Sequence, residues 1–113
     1  MRLPDVPNLH DATLDRVTVD LSRRTAWIRC TRVRQGALRD PSDPPPRGEV
    51  TLAVRAMREV RVDRRDPWGP SDSIKSAYAN ESSTSEVELY IDMQSGDRIF
   101  ALGGGLDVQE SAT

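Results

Sequence analysis

Catalysis needs a base, a nucleophile or a metal-binding set, and this chain offers few of these. His10 is the only histidine and Cys30 the only cysteine. A Ser–His–Asp or Cys–His system would have to run through His10. Asp11 adjoins it, but neighbours along a strand point to opposite faces. The candidate nucleophiles Cys30 and Ser71 lie in no nucleophile-elbow motif. Cys30 also falls on the apolar side of its segment, the ordinary place of an inert core thiol. One His and one Cys do not make the usual zinc sets, and Glu88, Asp92 and Asp97 lack the regular spacing of a calcium loop. The expectation is a non-enzymatic protein with no catalytic residue, no metal and no cofactor. His10 is expected to pack or hydrogen-bond at the start of the first strand.

Other residues suit binding better than catalysis. Glu86, Glu88, Tyr90 and Asp92 fall on one side of a single alternating segment. Paired carboxylates can hydrolyse glycosides. On a regular strand they read instead as a solvated sheet face, or as an acidic rim around a tyrosine anchor for a partner. The stretch "PWGPS" (67–71) brackets Trp68 with two prolines. Pro67 and Pro70 restrict Asp66 and Gly69, so the segment has few conformations to lose. Folded back over the sheet edge, Trp68 is a structural plug; pointing outward, it is an interface anchor. The candidate partner-binding residues are therefore Trp68, Glu86, Glu88, Tyr90 and Asp92. The arginine run Arg55, Arg58, Arg61, Arg64 and Arg65 contains no aromatic, and the net charge is −2. Nucleic-acid binding wants the reverse of both, so no nucleic-acid partner is expected. "LGGGLD" (102–107) is not a phosphate loop, because no lysine or helix start follows it.

These residues must be positioned by strands, since the dominant hydrophobic period is two. "RVTVDL" places Val17, Val19 and Leu21 on one face. "SRRT" (22–25) supplies a turn, and "AWIRCTRV" returns with Ala26, Ile28 and Cys30 opposite Trp27, Arg29 and Thr31. "EVTLAVRAM" alternates with Val50, Leu52, Val54 and Ala56 inward, and Val60 and Val62 keep that spacing. Either one long strand bends near Met57 and Arg58, or two short ones meet there. Residues 73–80 read as a further strand, with one helical turn as the alternative. The clearest signal is "EVELYIDMQSGDRIFAL", where Val87, Leu89, Ile91 and Met93 face one way and the acidic residues with Tyr90 the other. "QSGD" is its turn, with Gly96 where positive φ is most needed. The fold predicted is all-β, about six antiparallel strands in a meander, forming a small sandwich or curved sheet with at most one short helix.

With 113 residues the chain fits a single domain, 1–113. Proline and glycine crowd residues 34–48, predicted as a proline-rich surface loop. The glycines and polar residues of 103–113 predict a flexible tail. Residues 1–71 carry fourteen arginines against ten acids, and 72–113 carry eight acids against Lys75 and Arg98. That split reads either as the codon bias of a GC-rich bacterial genome or as two faces of opposite sign. No apolar run reaches the roughly 18–20 residues that span a bilayer, and the opening lacks the apolar stretch of a signal peptide. The expectation is a soluble cytoplasmic protein with no membrane partner.

Three stretches carry a family resemblance: "LHDATLDRVTVD", "PWGPSDSI" and "VELYIDMQSGDRI". Together they resemble a group of small bacterial β proteins. That group is similar to immunity proteins of polymorphic toxin systems whose chains open with a His-Asp-Ala strand. The resemblance covers most of the chain and implies a non-enzymatic, single-domain inhibitor that binds and neutralises a cognate toxin. It carries no catalytic residues. The alternative function is a self-assembling or accessory protein, a homo-oligomer built through sheet edges or the Trp68 loop.

Overall fold

Among the described residues eight strands form in chain order: β1 (Thr13–Asp20), β2 (Thr25–Val33), β3 (Arg47–Arg55), β4 (Glu59–Asp63), β5 (Ile74–Glu81), β6 (Val87–Met93), β7 (Arg98–Gly103) and β8 (Gly105–Ala112). The computed structural model describes residues 3–33, 47–63 and 72–112. Trp68 and its "PWGPS" stretch lie outside the described residues, as does most of the proline-rich 34–48. Gly48 lies inside β3 rather than in a loop.

The strands pair antiparallel into two four-stranded sheets, with orders β1-β2-β3-β8 and β4-β7-β6-β5. The fold is all-β, as the alternation predicts, but it is not a simple meander. Each sheet is a three-strand meander (β1-β2-β3 or β5-β6-β7) flanked by the strand that follows the other meander. Thus β4 leaves β3 and joins β7, while β8 leaves β7 and joins β3.

The two crossovers meet at one end of the molecule, and local chemistry makes both. Ala56 takes a positive φ of 51° and ends β3. Met57 turns inward, 8% exposed, and its N–H donates to the Arg24 carbonyl. Residues 59–63 are therefore a separate strand in the other sheet, and Ala56 is exposed rather than inward. Beside it, β7 passes to β8 through a single residue, Gly104, whose N–H reaches the Arg55 carbonyl at 2.8 Å. A Cβ on Gly103 would stand 2.5 Å from that same carbonyl oxygen and 2.6 Å from Val54 Cγ1. Only glycine lets β7 come this close to β3. The predicted flexible tail is thus corrected. Residues 105–112 pair with β3 from Arg55↔Gly105 to Gly48↔Ala112.

The core is the shared inner surface of the two sheets. Ile28, Cys30, Val50, Leu52 and Val54 of the first sheet meet Val87, Leu89, Ile91, Met93 and Ile99 of the second, all nearly inaccessible. The inward residues of β2, β3 and β6 are the ones alternation predicts. Two bulges shift the phase elsewhere. One between Leu14 and Arg16 lets Leu14 and Val17 both face in; the other falls between Ile74 and Ser76. Leu21 departs from expectation: it lies in the β1–β2 turn and is 80% exposed. Asp20 builds that turn by accepting from the N–H groups of Ser22 and Arg23 and from the Ser22 hydroxyl. Those bonds, the hydroxyl's first, hold the Asp20 carboxyl below its ordinary range. Gly96 has φ 93°, as the "QSGD" turn requires.

No helix among the described residues is long and apolar enough to cross a membrane.

Candidate binding face

The β6–β7 turn fixes the register Asp92↔Arg98, Tyr90↔Phe100 and Glu88↔Leu102. The β5–β6 pairing adds Tyr78↔Tyr90, and β4 adds Arg61↔Phe100. Three rows therefore cross the outer face of the second sheet. The first is Ser76–Asp92–Arg98–Asp63. The second is Tyr78–Tyr90–Phe100–Arg61. The third is Asn80–Glu88–Leu102–Glu59.

The middle row is an aromatic ladder. The rings of Tyr78 and Tyr90 stack with centroids 5.0 Å apart and planes 18° apart. Tyr90 and Phe100 follow at 5.1 Å with a 47° tilt. The Arg98 guanidinium lies 5.0 Å from the Tyr90 ring centre. Cross-strand aromatic pairs and cation–π contacts both stabilise a sheet face, and here they also hold the rings in one arrangement. Tyr78 remains 37% exposed, while Tyr90 and Phe100 are half-buried.

The carboxylates on this face differ in their partners. Asp92 accepts two hydrogen bonds from Arg98, at 2.6 and 3.3 Å. Glu86, just ahead of β6, accepts two from Arg58 and one from the Thr84 hydroxyl. The Arg58 bonds come first among the causes that hold the Glu86 carboxyl below its ordinary range. Glu88 accepts from the Tyr90 hydroxyl at 3.2 Å and has no cation beside it among the described residues. Burial first, then the Glu88 carboxylate, raises the Tyr90 pKa, so the phenol stays a donor at neutral pH.

The four described candidates Glu86, Glu88, Tyr90 and Asp92 are thus brought together. Glu88, Tyr90 and Asp92 project from one face, with Glu86 at its rim. Sequence reasoning missed Tyr78, Phe100, Arg98 and Leu102, which complete the face from β5 and β7. A symmetric count about "QSGD" places Ala101 and Ile99 opposite Tyr90 and Asp92; the actual register is one residue off because the Met93 N–H donates to the Asp97 carbonyl and the turn centres on Ser95. Beside the ladder, a shallow groove of about 450 Å³ runs over β7 between β4 and β6.

The outer face of the first sheet differs. Trp27 lies half-buried in the row Thr18–Trp27–Ala53–Asp107. Around it, Arg29 pairs with Glu49 and Arg55 with Asp107, while Arg32 pairs with Glu110 at the sheet's end. The uneven charge of the sequence is largely cancelled in space. Acidic β8 lies against basic β3, and arginines near β4 reach Glu59 and Glu86.

The thiol and the imidazole have defined surroundings. Cys30 is buried, and burial pushes its thiol up to about 12. His10 Nδ1 lies 2.9 Å from the Lys75 carbonyl. Asp11 has a φ of 66°, so its carboxylate turns back to 3.5 Å from His10 Nε2 rather than pointing away as a strand residue would. The Gln94 amide donates to the same Asp11 side chain. This clasp ties the start of the chain to β5 and the β6–β7 turn, and it is open to solvent. Among the described residues no group of three or more His, Cys, Asp or Glu side chains is arranged to hold a metal.

Fold and face together define an antiparallel β-sandwich of eight strands carrying an ordered aromatic ladder on one outer sheet. No family model, no curated protein and no solved structure matches the chain.

Proposed function

We propose that this chain is a non-enzymatic protein-binding module that docks through the outer face of the second sheet. Its most concrete form is an immunity-type inhibitor that neutralises a bacterial toxin. The observation that carries the reading is the Tyr78–Tyr90–Phe100 ladder, a fixed and partly exposed aromatic row framed by charges. Tyrosines in such a frame supply large contact area at small entropic cost. The family resemblance of the opening and of the β6–β7 hairpin supports the toxin-directed form of the idea. The site lies at Glu86, Glu88, Tyr90 and Asp92, extended by Tyr78 and Phe100.

Affinity capture of the tagged protein from its native cells, with mass spectrometry of what comes along, tests this. A single stoichiometric partner is expected, toxic when expressed alone and harmless when co-expressed with this chain. Charge reversal at Glu88 should slow its association, since a rim charge acts mainly on the encounter rate. An unchanged rate would remove the electrostatic part of the proposal.

A second reading, self-association, has its own observation. A slot between the edges of β1 and β4 is lined by Leu14, Val17, Val19 and Val62 together with Asp15 and Arg16, and Val62 is 46% exposed. A stable dimer at micromolar concentration, broken by Val62→Asp, would favour it.

A further inference from the structure

We infer that the groove over β7 is a receptor for one basic side chain of the partner, an arginine or a lysine. The inference rests on the face proposed above and names what that face reads. Its floor is Phe100 and Leu102 with Arg98 at one end of β7, and Glu88 with Tyr90 stands on the β6 side. Glu59, Arg61 and Asp63 stand on the β4 side.

The argument is one of unmatched charge beside an apolar floor. Arg98 is already held by Asp92, and Arg61 by Glu59. Glu88 on one wall then has no cation beside it among the described residues, while Asp63 on the other stands opposite Arg98 in the β4–β7 register, a cation already engaged by Asp92. Across the rest of this face each carboxylate has an arginine: Glu86 has Arg58 and Asp92 has Arg98. The groove is where that pattern stops.

The geometry selects the ligand class. The faces of Tyr90 are taken by Tyr78, Phe100 and Arg98, so a flat ring or sugar finds no free tyrosine face there. A long basic side chain fits better. Its methylenes would lie along Leu102 and Phe100, and its charged head would reach the Glu88 carboxylate. Tyr90, donating to Glu88, orients that carboxylate. A guanidinium can pair with a carboxylate through two parallel bonds while its plane rests on an aromatic ring.

The test uses the full chain and two small probes, arginine methylamide and its neutral counterpart citrulline methylamide. Each is titrated into isotope-labelled protein while amide shifts are followed by NMR. Arginine methylamide should give saturable shifts at Glu88, Phe100 and Leu102, in the millimolar range. Citrulline methylamide should give none that saturate. Glu88→Gln should weaken arginine methylamide roughly three- to tenfold, as loss of a charge-assisted contact predicts. Glu49→Gln, on the opposite sheet, should leave it unchanged. Equal shifts from both probes overturn the inference without any variant. So do shifts unaffected by Glu88→Gln, or no saturation with arginine methylamide. If the groove fails while Tyr90→Ser still abolishes partner capture, the face stands and its basic ligand does not. If the groove binds and Tyr90→Ser leaves capture intact, the protein partner docks elsewhere.

Discussion

The two outer sheet faces are built from the same strand geometry but carry different chemistry. The face of the first sheet is a lattice of ion pairs around one half-buried tryptophan. Arg29–Glu49 and Arg55–Asp107 join neighbouring strands there. Exposed pairs of this kind contribute about 0–1 kcal/mol each and hold no fixed apolar surface. The face of the second sheet carries three aromatic rings in line, with one carboxylate unmatched. A face that only has to remain soluble can scatter its charges. An ordered aromatic row half open to water is the kind of surface a partner can use, and that difference is what supports the proposed docking on the second sheet.

Substitutions can break this comparison in order of size. The largest effect lies beneath the proposed docking face. Leu89→Ala, one position from Tyr90 but on the inner side, should destabilise the protein by about 2–5 kcal/mol in denaturant unfolding. Tyr90→Ser should cost less than that and act on partner binding instead. If the two cost the same stability, the ladder is part of the core. Gly103→Ala comes next, at about 1–3 kcal/mol, because its new methyl meets the Arg55 carbonyl where the chain crosses between sheets. Chemical unfolding of that variant checks the crossover as a rigid joint rather than a tail.

Smaller effects sharpen the contrast. A double-mutant cycle on Tyr78 and Tyr90 should return a coupling of about 0.5–1.5 kcal/mol. The same cycle on Arg29 and Glu49 should return about 0–1 kcal/mol and fall with added salt. Equal, salt-insensitive couplings would erase the distinction between the faces. The smallest effect is in pH. The Glu86 carboxyl is held below its ordinary range by Arg58, so its contribution is present at neutral pH. It is lost as acidification carries the solution down through the folded-state value. Thermal melts of Glu86→Gln should therefore show a shallower loss of stability on acidification than the wild type.

Much of the fold was legible in the sequence because alternation reports burial directly. Val87, Leu89, Ile91 and Met93 face the core as their spacing says, and so do Ala26, Ile28 and Cys30. What was not legible depended on contacts distant in sequence. Nothing local says that β4 leaves its neighbour β3 for β7, or that the strand after the glycines pairs with β3. Composition made residues 103–113 look like a tail because glycines usually mark freedom. Here Gly103 marks close approach, which only the partner strand reveals. The bulge after Leu14 likewise hid one core residue from a strict count of two. At the candidate face, alternation put Glu88, Tyr90 and Asp92 on one side of β6, which is where the register places them. It could not find Tyr78 and Phe100, because cross-strand neighbours follow from register, and register is a property of two strands.

The central claim is that the second sheet's outer face, and not the first's, meets the partner. The most direct test is the affinity of the captured partner for three forms of the full chain: wild type, Tyr90→Ser and Trp27→Ser. Each form is first checked to be folded at the assay temperature. The account predicts that Tyr90→Ser weakens binding at least about tenfold, a hot-spot loss, while Trp27→Ser changes it little. Binding lost on Trp27→Ser and kept on Tyr90→Ser would contradict it and move the interface to the opposite face.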